Sequence, residues 1–277
     1  MTFKQIARPI TLKDRMFRQP VTWQLYQKFN KYTYPYFTRW LGDEEALFLN
    51  YGYEEDPPMN VPLTCSDEPN RFCIQLYHRT ATQADVSGQK VLEVGCGHGG
   101  GASYIMRALK PASYTGLDLN RAGVAFCQDR YDLPGLDFVR GDAENLPFDD
   151  QDFDAVINIE SSHCYSHFPR FLAEAARVLR AGGHFLYADL RPRGRIADWE
   201  AALADAPMQL ISVRDIGEEV LRGMERNWAP VLDLIDRRIP PLFRGFARDI
   251  SGVQDSYAYN DLQRGGLLYR MYCFVKD

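Results

Sequence analysis

No stretch of this 277-residue chain approaches the roughly 18 consecutive apolar residues that a membrane-spanning helix needs. Positive charge is not in excess either. The chain has 32 Lys and Arg against 37 Asp and Glu, a net charge of −5, which excludes a protein held to nucleic acid by a basic face. Residues 1–20 lack the apolar core of a secretory signal. The six cysteines, Cys65, Cys73, Cys96, Cys127, Cys164 and Cys273, contain no C-x-x-C pair, so no zinc site of the usual spacing is expected. Without a signal, reduced thiols are expected rather than three disulfides, and the cytoplasm rather than an oxidising compartment. Repeats and low-complexity tracts are missing. What remains is an ordinary globular composition, 45% apolar and 25% charged. Its length suits one elaborated α/β domain or two small ones.

Composition divides the chain into four regions. Residues 1–84 are aromatic-rich, with eleven Phe, Trp or Tyr between Trp23 and Tyr53. Trp23, Tyr26 and Phe29, then Phe37 and Trp40, recur at helical spacing and predict a helical cap. Pro57, Pro58 and Pro62 force an extended segment, and Pro69 to Gln83 reads as helix again. Residues 85–190 alternate strands (near Val91, Ser113, Leu136, Phe153 and His184) with helices of 8–12 residues. That alternation predicts a parallel sheet with right-handed crossovers. Residues 191–250 break the rhythm and read as a helical insertion, with helices over Ile196–Ala204, Asp215–Arg222 and Leu232–Ile239. In residues 251–277, Val253 to Val275 reads as two strands around Arg264-Gly265-Gly266.

The densest information lies in Val91-Leu92-Glu93-Val94-Gly95-Cys96-Gly97-His98-Gly99-Gly100. A strand that runs through glycines into a helix exposes backbone N–H groups and lets a ligand lie on the main chain. Gly95, Gly97 and Gly100 satisfy G-x-G-x-x-G, and Asp118 follows the next strand 21 residues after Gly97. Both features fit a nicotinamide dinucleotide and an adenosyl ligand alike. They also fit a tight turn with no ligand. Glu93 stands where a carboxylate could meet an ammonium group. Asp142, in Gly141-Asp142-Ala143-Glu144, stands where it could meet an adenine edge.

Glu93-x-Gly95-x-Gly97, Asp118, Gly141-Asp142-Ala143 through Leu146-Pro147-Phe148, Phe153-Asp154 and Leu179-Arg180-Ala181-Gly182-Gly183 resemble, in order and spacing, the motifs of class I S-adenosylmethionine (SAM) methyltransferases. Glu54 to Met59, Leu76 to Gln83, Gly97 to Tyr104, Ser162 to Tyr165 and Tyr269 to Phe274 resemble more narrowly the mycobacterial phthiotriol/phenolphthiotriol dimycocerosate methyltransferases and the fatty-acid O-methyltransferases. The resemblance implies a Rossmann-like, seven-stranded, mostly parallel sheet with helices on both faces, a helical cap and a lid. It implies SAM as cofactor, with Glu93, Gly95, Cys96, Gly97 and Gly99 at its methionine part. Asp118 would bind the ribose, Leu119 the adenine face, and Asp142 and Ala143 the adenine edge. Tyr77 and Arg79 would close over the methionine end, unless they are ordinary helix-surface residues. It implies a small-molecule lipid acceptor, either a fatty-acid carboxyl, the preferred reading, or a hydroxyl of a phthiotriol-type lipid. Transient contact with a membrane surface is compatible with that.

On the acceptor side Asn158, Glu160, His163 and His167 follow the fourth strand, whose end should face the ligand. His163 is the first candidate for a base or positioning donor, because histidine titrates near neutrality. His167 is the second, and Glu160 could orient His163. The three have a spacing that could bind a metal on a helix, but Ser161-Ser162 and Pro169 argue against a continuous helix, and methyl transfer from SAM needs no metal. Other readings remain open: a nicotinamide-dependent oxidoreductase, a lipid-binding protein that keeps SAM as a structural ligand, and a C-methylating or cyclopropane-forming enzyme.

Overall fold

The computed structural model describes residues 46–277. The helical stripes expected at Trp23–Phe29 and Phe37–Trp40 lie outside the described residues.

Seven strands form one sheet in the order β3-β2-β1-β4-β5-β7-β6. They are β1 Lys90–Val94, β2 Ser113–Asp118, β3 Leu136–Arg140, β4 Phe153–Ile159, β5 Leu179–Pro192, β6 Gln209–Asp215 and β7 Leu267–Val275. β1 to β5 pair in parallel, and β7 runs antiparallel to both β5 and β6. The seven-stranded, mostly parallel sheet with helices on both faces is therefore as expected. Eight α-helices accompany it among the described residues: α1 Arg71–Ala81, α2 Gly100–Ala108, α3 Arg121–Arg130, α4 Phe168–Val178, α5 Ile196–Ala204, α6 Gly217–Arg238, α7 Pro241–Ile250 and α8 Tyr257–Gln263.

The central strands are apolar on both faces because both are covered, and the alternation sorts them into two cores. Leu186, Ala188, Tyr269 and Met271 face one side, with Ile74 and Leu76 of α1, Ile105 of α2 and Val220 of α6. Phe185, Tyr187, Tyr272 and Phe274 face the other, with Phe171 and Leu172 of α4 and Trp199 of α5. On that second side the rings of Phe185, Tyr187, Tyr272 and Phe274 stack within about 6 Å of one another. No described helix is long and apolar enough to cross a membrane, and no disulfide joins the cysteines.

Three assignments change. The insertion read over 191–250 contains β6, which completes the sheet edge. Leu210, Ile211 and Val213 of β6 are all about half exposed, and a register shift falls between Leu210 and Ser212, so the strand shows no buried alternation. The two helices read within 215–239 are one helix, α6, with Pro230 inside it. Proline removes one hydrogen bond without ending a helix that tertiary contacts hold. The first strand of the hairpin read over Val253–Val275 is instead α8, started by Ser256, whose hydroxyl accepts from the Tyr259 N–H.

One packing contact decides how α2 meets α1. A Cβ on Gly101 would lie 1.9 Å from the ring of Tyr77. Ala in place of Gly normally stabilises a helix by about 1 kcal/mol, but overpacking a buried contact costs about 1–3 kcal/mol. Tyr77 is hydrogen-bonded through its hydroxyl and cannot swing away freely. Gly101→Ala is therefore expected to lower the thermal unfolding midpoint, as measured by calorimetry.

Candidate functional site

β1 pairs with β2 on one side and β4 on the other, so the connections leave it in opposite directions and a cleft opens at the carboxyl ends of the strands. Its empty volume, open mouth included, is about 1250 Å³. Four loops wall it: residues 95–98 after β1, 117–120 after β2, 141–144 after β3, and 159–161 with 164–166 after β4. Leu47, Leu49, Asn50 and Tyr77 complete the wall.

The glycine turn takes its shape from three left-handed positions, Gly95 (φ +82°), Gly97 (+55°) and Gly99 (+74°). Its N–H groups are largely used internally. Those of Gly95 and Cys96 donate to the Leu117 carbonyl, that of Gly97 to Asp118, that of Gly99 to Cys96 and that of Gly100 to Leu47. The expected row of bare donors is thus not there. A pyrophosphate, which binds through such donors, finds few of them.

Asp118 is held by the N–H groups of Gly97 (2.9 Å) and Asn120 (2.8 Å) and lines the cleft. Burial raises its pKa, against the pull of those N–H groups. Leu119 is 37% exposed and lines the cleft beside it. Asp142 accepts from the Glu144 N–H and lines the wall with Ala143. Four carboxylates, Asp118, Asp142, Glu144 and Glu160, line the cleft, and no Lys or Arg does so among the described residues. His98 also lines it, and burial pushes its pKa down, so it adds no cation. The donor set suits a cationic ligand.

Tyr77, Gly95, Cys96, Gly97, Asp118, Leu119, Asp142, Ala143 and Glu160 are thus brought together on the wall. Six other candidates lie off it. Glu93 is 1% exposed behind Tyr77, its two oxygens accepting from the hydroxyls of Tyr77 and Tyr114, each at 2.9 Å. Arg79 points to Glu55 at 3.1 Å on the surface. Gly99 starts α2, and a Cβ there would meet the rings of Tyr131 and Phe138. Asn158 is fully buried and donates to the Val94 carbonyl and the Tyr165 hydroxyl. His167 has a side chain 74% exposed, paired with Glu144 at 2.8 Å. Glu144 also accepts from the N–H groups of Ser166 and His167, so His167 ties two loops at the rim.

His163 lies just behind the wall, in the 3-10 turn Ser162–Cys164. Its Nδ1 meets Asp189 at 2.9 Å. Asp189, not Glu160, orients it. Burial opposes a charged imidazole, but Cys164 and the Asp189 carboxylate outweigh it and hold the pKa well above the ordinary value. Its contacts thus favour the protonated imidazole, which its burial opposes.

Glu160 is the acid that lines the cleft at the end of β4. It adopts φ +44°, a conformation rare outside glycine and typical of functional sites. Oε1 accepts from the Tyr51 N–H (3.0 Å) and the Tyr269 hydroxyl (2.9 Å), and Oε2 has only a longer contact of 3.2 Å to Tyr51. Burial pushes its pKa up to about 7. Glu160, His163 and His167 do not gather as a metal site; no such cluster occurs among the described residues.

A methyltransferase-domain family model matches residues 92–187, from β1 into β5. The phthiotriol/phenolphthiotriol dimycocerosates methyltransferase of Mycobacterium tuberculosis is 60% identical over 252 residues, 91% of this chain and 93% of that one. The chain belongs to the class I SAM-dependent methyltransferases. A fatty-acid O-methyltransferase of Mycolicibacterium smegmatis is 56% identical over 263 residues, 94% of this chain and 95% of that one. Among solved structures, the geranyl diphosphate C-methyltransferase of Streptomyces coelicolor A3(2), in complex with S-adenosyl-L-homocysteine, superposes with a TM-score of 0.62 at 18% identity. That match covers 91% of this chain and 98% of the other and shows the shared fold. The methyltransferase is thus a SAM enzyme by family, and the oxidoreductase reading falls.

Sequence reasoning missed Asp189, Tyr51 and Tyr269. A single acid inside the apolar run His184–Leu190 was the available signal for the first. Tyr51 acts through its backbone N–H, which no side-chain motif announces.

Burial pushes the Glu93 carboxyl up to about 7, with Tyr77 and Tyr114 pulling the other way. A folded-state pKa raised above the unfolded value contributes stability below about pH 4.5 that is lost as pH rises through about 7. Glu93→Gln keeps both tyrosine partners and removes that titration. Its melting temperature relative to the parent is expected to rise between pH 5 and pH 8.5, by the equivalent of on the order of 3 kcal/mol at most.

Proposed function

We propose that the enzyme O-methylates a hydroxyl group of a long-chain lipid. One observation carries the choice of acceptor: the carboxylate that lines the cleft at the end of β4 is Glu160, with no described Lys or Arg on the wall. A fatty-acid carboxylate would meet like charge there without a cationic partner. A hydroxyl needs what Glu160 offers, a proton acceptor whose pKa of about 7 matches the working pH. This reverses the preference for a carboxyl acceptor drawn from the sequence. The lipid class is suggested by the names of the relatives, phthiotriol-type lipids for the Mycobacterium tuberculosis protein and fatty acids for the Mycolicibacterium smegmatis one.

The residues present fit SAM, since an acidic cleft over a glycine turn suits a ligand bearing a sulfonium and an ammonium. Asp118 would accept from the ribose hydroxyls, Leu119 and Ala143 would flank the adenine, and Asp142 would take its edge. The turn of Gly95, Cys96 and Gly97, with Tyr77, would face the methionine end through its carbonyls, which can accept from the ammonium, since its N–H groups are used internally. SAM would supply an electrophilic methyl group on a sulfonium, the sulfur leaving as a thioether. Glu160 Oε2 would take the proton of the acceptor hydroxyl as that oxygen is methylated. Tyr269 and the Tyr51 N–H fix the carboxylate through Oε1. Holding the acceptor oxygen in line with the methyl group would be the task of the cleft.

Asp118→Ala is expected to weaken SAM binding about 10–100-fold in calorimetry, the loss of charge-assisted hydrogen bonds. Glu160→Gln is expected to leave SAM affinity unchanged and to lower turnover on a long-chain diol by about 100-fold or more. Labelled SAM with paired long-chain alcohols and fatty acids reads this directly. Efficient esterification of the fatty acid by Glu160→Gln would overturn the assignment.

A further inference from the structure

We propose that Asp189 is a positioning residue for methyl transfer, fixing the loop that carries Glu160 and holding the His163 imidazole beside that carboxylate. The inference rests on Glu160 as the acceptor-side base.

Asp189 is fully buried in β5, and the ladders of β5 to β4 and β7 are made by backbone, so the sheet has no need of an acid there. Burying a charge is costly unless it is paired and fully hydrogen-bonded. Asp189 meets that condition through Leu190 and Arg191 of its own strand and through one loop. Its Oδ1 accepts from His163 Nδ1 (2.9 Å) and from the Leu190 N–H (2.8 Å). Its Oδ2 accepts from Ser162 Oγ (2.6 Å) and the His163 N–H (3.0 Å), with Arg191 at 3.2 Å. Three of these contacts grip Ser162 and His163, which lie between Glu160 and the wall residues Cys164 and Tyr165. Arg191 is itself fixed, donating to Ser162 Oγ at 2.8 Å and lying over the rings of Phe168 and Trp199 at 5.0 Å each. The loop is held from the sheet side by a buried charge pair, while Glu160 is held from the cleft side by Tyr51 and Tyr269.

A carboxylate accepts only, so Nδ1 carries a proton toward Asp189. The groups around Glu160 are the Tyr51 N–H from the segment before α1, Cys73 and Tyr77 from α1, Tyr269 from β7, His163 from the loop and Asp189 from β5. Burial pushes Cys73 up to about 12 and Tyr77 and Tyr269 well above the phenol range. None of these three titrates near neutrality. Protonation of His163 favours the ionised form of Glu160, and Asp189 opposes it less strongly.

The test is the pH dependence of kcat/KM for the full-length enzyme on a long-chain diol, with SAM affinity measured in parallel. Asp189→Asn, isosteric and uncharged, is expected to lower kcat about 10–100-fold with SAM affinity unchanged. Its acid limb should move to higher pH, because weaker protonation of His163 favours ionised Glu160 less, with the shift reduced by the loss of the opposing Asp189 charge. His163→Gln, which leaves the Asp189 charge in place, should move the limb further the same way. If Asp189→Asn fails to fold in a thermal scan, His163→Gln decides alone. An acid limb that stays put in the folded variants overturns the role of Asp189 and His163. An active Glu160→Gln instead overturns the base itself, so the two failures are distinguishable.

Discussion

The site exists because β1 is hydrogen-bonded in parallel to two strands whose connections leave on opposite sides. No loop can cover the carboxyl end of β1, and the chain after it must turn sharply into α2. Gly95, Gly97 and Gly99 make that turn. Asp118 at the end of β2 then receives the Gly97 N–H, which locks the turn to its neighbour. Glu160, at the end of β4, faces the same opening from the other side. Donor-side and acceptor-side groups are therefore spaced by the strand repeat of one sheet, about 4.8 Å per strand, and not by any long-range loop.

The charges follow the same geometry. Near the surface, ion pairs such as Arg107 with Asp67 are ordinary and solvent-screened. Beneath the cleft each acid is treated differently. Glu93 is capped by two phenols. Asp118 is held by backbone N–H groups. Asp189 is neutralised by Arg191 and His163, which hold it well below the usual carboxylate range against the penalty of burial. Only Glu160 among these four combines burial, a place on the wall and an oxygen with a single long contact.

The glycine turn, Asp118, Asp142 and the first five strands were legible because each depends on a local pattern: apolar runs bounded by turns, or a glycine series after a strand. β6 was not, since an edge strand exposed along its length has no alternation to read. α6 was read as two helices, Asp215–Arg222 and Leu232–Ile239, whereas the structure runs one helix through Gly223 and Pro230. The ranking of His163 over Glu160 follows from the ordinary pKa of histidine. The structure adds influences that this rule does not carry: Cys164 and Asp189, the latter 26 residues away in sequence, raise the His163 pKa against burial, and burial raises that of Glu160.

The internal saturation of the glycine turn has a thermodynamic corollary. A loop whose donors are already satisfied, by Leu117, Asp118, Cys96 and Leu47, holds its conformation whether or not anything rests on it. Little conformational freedom is then surrendered on association at that end of the cleft. Selectivity there comes from shape and from the sign of the surrounding field, and exchange of one ligand for another requires no refolding of the turn.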